Sequence, residues 1–346
     1  MSLPPVEIPL GAMRFNSDSQ KLEYWNGQIW MQIHTFSPNL DGGTRGVWAG
    51  GYAGTDGNII EYVTIATAGN ATDFGDLNAA LKYTTGFASN TRGVSGGGES
   101  PSQVNDIRFI TISSTGDTTD FGNLTSAATY MSACGNQTRG IFHLGKISSD
   151  KKNTLEYVTI ASTGDAVDFG DLTQVRSNVG ALSNPTRGVF TGGYTPTLVD
   201  TIDYVTISTL GNAQDFGDMT ESIGTNSAQC ASTTRGIIWG GYPAGTNIDY
   251  ITIASKGNAT SFGTSTIDLN YRNCTSDCVR GVSGGGQDGP GDRNTIEYIT
   301  IATQGDAVDF GDLTTDKHHA GACYSNGHGG LGKWEYYVLI EFHIHH

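Results

Sequence analysis

Asp-Phe-Gly occurs five times, at Asp73, Asp120, Asp168, Asp215 and Asp309. The aspartate of that tripeptide can hold magnesium for phosphoryl transfer. That chemistry also needs a catalytic loop and a Gly-rich partner, and the sequence offers neither. A second carboxylate follows three residues later in the pairs Asp73–Asp76, Asp168–Asp171, Asp215–Asp218 and Asp309–Asp312. Such pairs could supply oxygen ligands to calcium. One copy has Ser261 and Thr264 instead, a loss that a purely structural pair tolerates. At another register stand Arg45, Arg92, Arg139, Arg187, Arg235 and Arg280, each followed by Gly or, in the case of Arg280, by Gly281. Six arginines in step with five aspartates predict a set of partly buried ion pairs between neighbouring strands, each costing about 3–5 kcal/mol to break. The alternative is six exposed strand-edge charges that contribute little.

Other chemistry is thinly represented. There is no Gly-x-Ser-x-Gly elbow, and no Ser, His and Asp set stands apart from the repeats, so nucleophilic catalysis is not expected. Along a strand His343 and His345 would face one side, and around a threefold axis they could give six imidazoles to one metal. Cys274 and Cys278 lack the partners of a zinc site. Cys134, Cys230 and Cys323 each lie five residues before an Arg-Gly pair or before His328-Gly329, at a position filled elsewhere by Phe87 and Leu182. A site that accepts Phe, Leu and Cys reads as core, with reduced thiols.

What must position these residues is a repeat. The arginine anchors are spaced by 47, 47, 48, 48 and 45 residues, and Phe74, Phe121, Phe169, Phe216, Phe262 and Phe310 keep nearly the same step. A fixed period in this range means copies of one supersecondary unit that bury their faces against each other. The chain has 346 residues, 49 of them glycine, and a formal charge of −15. The glycines suit many tight turns in an all-β chain, and the acidity argues against a nucleic-acid partner. No basic and apolar leader opens the chain and no apolar run is long enough to span a bilayer, so neither a signal peptide nor membrane insertion is expected.

Each copy reads as four strands. Arg-Gly-Val-x-x-Gly-Gly is the first, and Ile-Glu-Tyr-Val-Thr-Ile the second, with Tyr62 and Thr64 on one face and Val63 and Ile65 on the other. A Gly-Asn or Gly-Asp turn leads to a third strand ending at Asp-Phe-Gly-Asp-Leu, where Asp-Phe-Gly is expected to form a turn. A fourth, such as Val179–Asn184, returns to the next Arg-Gly. Helical periodicity is absent. Four-stranded units of this length closing radially predict a β-propeller. Before the repeats, residues 1–36 read as three short strands joined by turns at Asn16–Ser19 and at Asn26-Gly27. The expected division is an attachment segment at 1–36, a propeller over 37–333, and a C-terminal strand with a His-rich tail at 334–346.

The doubled glycine ending one strand, an aromatic residue in a later one, and an Arg-containing approach to the next doubled glycine resemble kelch repeats. Arg176 to Ala181, leading to Gly192, Gly193 and Tyr194, carries the pattern best, with Phe169 where kelch repeats use Trp. The resemblance implies an all-β, kelch-like propeller of six full repeats over roughly 44–327. Ala320–Gly330 resembles a seventh, partial copy, so seven blades are expected, the last built from 320–342 and the N-terminal hairpin. Six blades closed by 320–326, with the flanks as an appendage, is the alternative. Residues 11–30 also resemble a short module of tailed-phage structural and fibre proteins, and the repeat wording is similar to virion proteins of phages that infect cyanobacteria. Together these imply a non-enzymatic, tail- or fibre-associated virion protein, assembled in the host cytoplasm. Expected partners are other virion proteins, a host surface glycan or protein, and sister chains, in a trimer by preference. A decoration or adaptor protein is the second reading and a glycan-active enzyme the third. No cofactor is expected beyond the possible calcium or trimer-axis metal.

Binding is placed where the copies differ. The links Ala53–Asn58, Glu99–Asp106, Lys146–Thr154, Thr195–Thr201, Pro243–Asn247 and Gln287–Thr295 vary in length and chemistry. The connections from third to fourth strand should fall on the same rim. Candidate rim residues are Tyr52, Tyr83, Tyr130, Lys146, Lys151, Arg176, Tyr194, Tyr242, Tyr271, Arg272, Arg293 and His319.

Overall fold

A computed structural model describes residues 8–16, 21–33, 44–224, 228–243, 245–289, 291–318 and 321–331. The chain divides into two compact units, Met1–Leu40 with Trp334–His346, and Asp41–Lys333.

In the first unit, Met13–Asn16, Lys21–Trp25 and Trp30–Ile33 form an antiparallel meander, as their sequence predicts. Asn26 accepts hydrogen bonds from the backbone N–H of Gln28 and Ile29, and Gly27 takes φ +97°. The side chain that closes the turn is therefore the Asn of Asn-Gly. Arg14 lies over the Trp30 ring at 4.2 Å and pairs with Glu23 at 2.8 Å. Met13 and Phe15 remain well exposed on the edge strand.

The second unit contains six antiparallel sheets of one plan and a two-residue ribbon pair at Gln287–Asp288 and Gly291–Asp292. No α-helix occurs among the described residues. In the second sheet the order is Thr85–Ala88, Arg92–Gly96, Val104–Thr111 and Thr119–Ala128. The first strand comes from the preceding sequence repeat, so every sheet joins two copies. For the first sheet that strand is Ala322–Ser325, which pairs with Arg45–Tyr52. Trp30–Ile33 and its neighbours pair only with one another among the described residues, and 332–342 lie outside them.

Two expectations about motifs are corrected. Asp-Phe-Gly is not a turn at the end of the third strand. It lies within that strand, as in Thr72–Asp76, at a register shift opposite Ile60 and Glu61. His328-Gly329 does not open a seventh Arg-Gly strand either, because Gly329–Leu331 is a single 3-10 turn. The register of Cys323 shifts with it. Cys134 and Cys230 sit opposite Ile141 and Ile237, whereas the equivalent residue opposite Val47 is Tyr324 and not Cys323. All five cysteines are free thiols.

The core lies between sheets. Each of six apolar clusters draws on two neighbouring sheets, such as Phe87, Phe121, Phe142 and Val158 from the second and third. The last, with Trp48, Val63, Ile65, Val282 and Phe310, joins the sixth sheet to the first. Both faces of a sheet are covered, which is why the acid-bearing strand carries bulk on both faces.

The repeated small motifs meet at the same seams. Arg45 Nη1 donates to the carbonyl of Ile112 in the next sheet at 2.7 Å. Arg92 reaches Ile160, Arg139 Ile207, Arg187 Ile253 and Arg235 Ile301, and Arg280 reaches Ile65 of the first sheet. Each guanidinium lies 4.5–4.8 Å from the centroid of its own sheet's Tyr or Phe, from Tyr62 to Tyr298. The expected ion pairs are therefore not formed. Asp73, Asp120, Asp168, Asp215 and Asp309 are exposed, and none lies within 4.0 Å of these arginines. The arginine supplies a donor to a part-buried carbonyl of the next sheet.

The glycines explain themselves at two positions. Gly75, φ +148°, faces the backbone of Gly116 in the following sheet so closely that a Cβ would overlap its carbonyl at 2.5 Å. The same approach lets Gly116 N–H donate to Phe74 O, and Asp76 N–H to the Asp117 side chain at 2.9 Å. The glycine after each arginine is the second case. A Cβ on Gly140 would run into the Phe87 ring of the preceding sheet.

Candidate binding rim and the cavity beneath it

At the end of the sheets opposite the arginines, isolated bridges join the two families of variable loops. Lys82 pairs with Glu99, Thr129 with Lys146, Ser177 with Tyr194, Gly224 with Tyr242, Asn270 with Gln287, and Tyr52 with His318. The links after the doubled glycines and the third-to-fourth connections thus form one edge, and the expected rim residues fall largely on it.

Three tyrosines share an unusual backbone. Tyr83, Tyr130 and Tyr271 take φ of 58°, 52° and 57°, and Asn178 holds the same register with 58°. A left-handed conformation costs a non-glycine residue about 1–2 kcal/mol, least for Asn. The three rings are half-buried. Tyr83 and Tyr130 lie 4.2 Å apart by centroid, and Tyr271 lies 6.0 Å from His318, which in turn is 5.2 Å from Tyr52. Burial, followed by its hydrogen bond with Tyr130, raises the Tyr83 phenol well above its ordinary value. It stays neutral at any physiological pH.

Cations decorate the rings. Lys82 Nζ lies 5.5 Å from the Tyr52 ring and 5.8 Å from that of Tyr83, and Lys146 lies 5.9 Å from Tyr130. Lys151 sits 4.2 Å over Tyr194. Tyr194 and Tyr242 are 41% and 52% exposed. Arg293 is bound to Asp288 at the surface, with Nε 3.0 Å from its carboxylate. His319, His343 and His345 lie outside the described residues.

Two expected rim residues are elsewhere. Arg176 is fully buried, 2.8 Å from an equally buried Asp203, and also donates to the carbonyls of Gly192 and Thr201. Arg272 is buried 2.8 Å from Glu297. Both lie beneath the rim because a buried carboxylate calls for a cation. Lys317 pairs in the same way with Glu61.

Those carboxylates were not singled out in the sequence. Glu61, Glu156, Asp203, Asp249 and Glu297 occupy one register of the second strand, all buried. Each accepts from a Thr of the preceding sheet. Thr173 N and Oγ1 donate to Asp203 at 3.1 and 2.7 Å, Thr266 N to Glu297 at 2.7 Å, and Thr314 N to Glu61 at 2.6 Å. Thr125 serves Glu156 and Thr220 serves Asp249. The signal was present: the acid of Ile-Glu-Tyr-Val alternates with Val63 and so shares its buried face. Among the described residues Glu156 has no cation paired with it, and burial raises its acid pKa.

Beneath the rim, the strands Thr85–Ala88, Ser132–Gly135, Gly180–Ser183, Ala228–Ala231, Asn273–Ser276 and Ala322–Ser325 surround two small cavities of about 60 and 70 Å³. The upper one is lined by Thr84, Thr85, Ser132, Gln229 and Asn273, each next in sequence or close to the tyrosine register. The lower one carries Cys134, Cys230, Cys274 and Cys323 and is bounded by His328 and Gly329. Burial pushes the Cys134 thiol up to about 12. Among the described residues no aspartate or glutamate lines either cavity. His328 donates from Nε2 to Ala88 O at 2.8 Å and accepts Gly330 N–H at Nδ1, which fixes it neutral, and burial lowers its pKa to about 4. Among the described residues no group of three or more His, Cys, Asp or Glu could hold a metal ion, and no helix is long and apolar enough to cross a membrane.

No protein-family model matches the chain, and no curated protein is similar to it.

Proposed function

We propose that the protein is a non-catalytic binding scaffold, a six-bladed, kelch-like β-propeller that offers its tyrosine rim to a glycan or protein receptor. The six sheets would be the blades. In support, apolar clusters, arginine–carbonyl bonds and glycine contacts all run from each sheet to the next and return from the sixth to the first. The observation that carries the binding role is the left-handed backbone shared by Tyr83, Tyr130 and Tyr271. The angle recurs at Asn178 and so belongs to the repeat, and what suits a recognition surface is that three of these positions carry aromatic rings. Tyrosine gives a flat, amphipathic face that suits sugar rings and protein contacts alike.

In favour of a location on a virion tail or fibre, residues 11–30 and the repeats resemble phage structural proteins. Binding of the full chain to a glycan array and to host-cell envelopes tests it. Tyr83→Ala with Tyr271→Ala should weaken binding at least tenfold while the unfolding midpoint moves little. An unchanged affinity would overturn the rim. An adaptor role is favoured by one feature, the exposed Met13 and Phe15 on an edge strand of the N-terminal meander. Particles assembled with a chain lacking residues 1–36 should then omit the protein.

A further inference from the structure

We propose that a single monovalent anion, chloride in ordinary buffers, is bound at Arg108 between the first and second sheets. At the register where five sheets bury Glu61, Glu156, Asp203, Asp249 and Glu297, the second sheet carries Arg108. Its neighbour across the seam changes too. The Thr that donates to those carboxylates is replaced by Asn78, whose backbone N–H goes to Thr118 instead. The charge at this seam is thus inverted, and Leu81 stands where Arg176 and Lys317 supply cations elsewhere.

Arg108 is 0% exposed, yet its pairing is incomplete. Nη2 lies 3.4 Å from the Asp106 carbonyl and 3.8 Å from the half-exposed Asp106 carboxylate. Nε and Nη1 have no hydrogen-bond partner among the described residues. Two more donors without partners share that face. Ser95 is the cross-strand neighbour of Arg108, so the two side chains leave the sheet on one side, and its hydroxyl is unpartnered. Tyr324 of the first sheet packs on Gly93, two residues from Ser95 and hence on the same face, and its buried hydroxyl is unpartnered as well. A buried guanidinium with two unpartnered nitrogens, beside two unpartnered hydroxyls, has more N–H and O–H donors than the Asp106 oxygens satisfy. Such a set is stabilised by a negative ion and costs heavily without one.

The test compares the full chain in sodium chloride and in sodium gluconate at equal ionic strength, with crystals grown in sodium bromide. The melting temperature should be higher in chloride by roughly 2–4 °C, and an anomalous bromine peak should lie against Arg108. Arg108→Glu with Asn78→Thr installs the pairing of the other seams and should abolish the difference between the two salts. If that variant does not fold, Arg108→Met provides the same readout. Equal melting temperatures in the two salts for the unaltered chain, a water and no bromine at Arg108, or an undiminished chloride response in the variant would each overturn the site.

Discussion

The two ends of the six sheets are made from the same strands and follow opposite rules. At the arginine end, one set of contacts is repeated around the seams with little change: an Arg to a carbonyl, a glycine against a glycine, an Asp or Asn side chain to a backbone N–H. At the tyrosine end, loop length and chemistry vary, and what repeats is a strained backbone angle. The difference teaches that the repeat is kept where sheets must dock on each other and released where nothing in the fold depends on it. Substitutions at the first end should therefore cost stability and spare binding, and those at the second should do the reverse.

The largest effect should come from a residue whose sequence position suggests the rim but whose contacts belong to the seam. Arg176→Met leaves Asp203 buried beside Thr173 with no cation, at a cost of about 3–5 kcal/mol. Adding Asp203→Asn should restore more than half of this, as read by urea unfolding. Recovery of nothing would mean that Arg176 acts through packing alone.

Acid should act next. Burial lowers both His143 and His328 to about 4, while the unfolded chain titrates near the ordinary imidazole value. Both are neutral in the fold, so stability is full above about pH 6.5 and falls as pH drops toward 4, by up to about 3 kcal/mol for each. Glu156, whose pKa is raised, works in the opposite sense: its penalty is greatest at neutral pH and shrinks on acidification. Replacing His143 and His328 by Asn should flatten the decline between pH 6.5 and 4 in a series of melting curves. An unaltered slope would mean that neither imidazole is the source of the acid sensitivity.

Arg139→Met should cost about 2 kcal/mol, because the Ile207 carbonyl loses its donor. The same change at Arg92 or Arg235 should cost a similar amount, and a wide spread would break the equivalence of the seams. Smallest of all is Tyr130→Asn. Asn accepts the left-handed angle more readily, which offsets lost ring contact, so the midpoint should move by less than about 1 kcal/mol. Receptor binding, in contrast, should fall.

Much of this architecture could be read from spacing. A period near 47 residues, alternating strands and Gly-Asn or Gly-Asp turns located the four strands of each unit and the two families of loops that meet on one edge. The sequence also identified the Cys134 and Cys230 register as core. What it could not assign was which charges face each other. Arginines and aspartates in step suggested ion pairs, but register along one strand says nothing of what the next sheet brings against it.

By itself, then, the sequence determined the unit: strand, turn, and the period on which they return, all consequences of local backbone geometry and alternation. Only the tertiary structure decided the partners. Whether Arg139 meets a carbonyl, Arg176 a buried carboxylate, or Arg108 only the long contacts to Asp106 depends on the docking of surfaces distant in the chain, where burial makes every unpaired polar group costly.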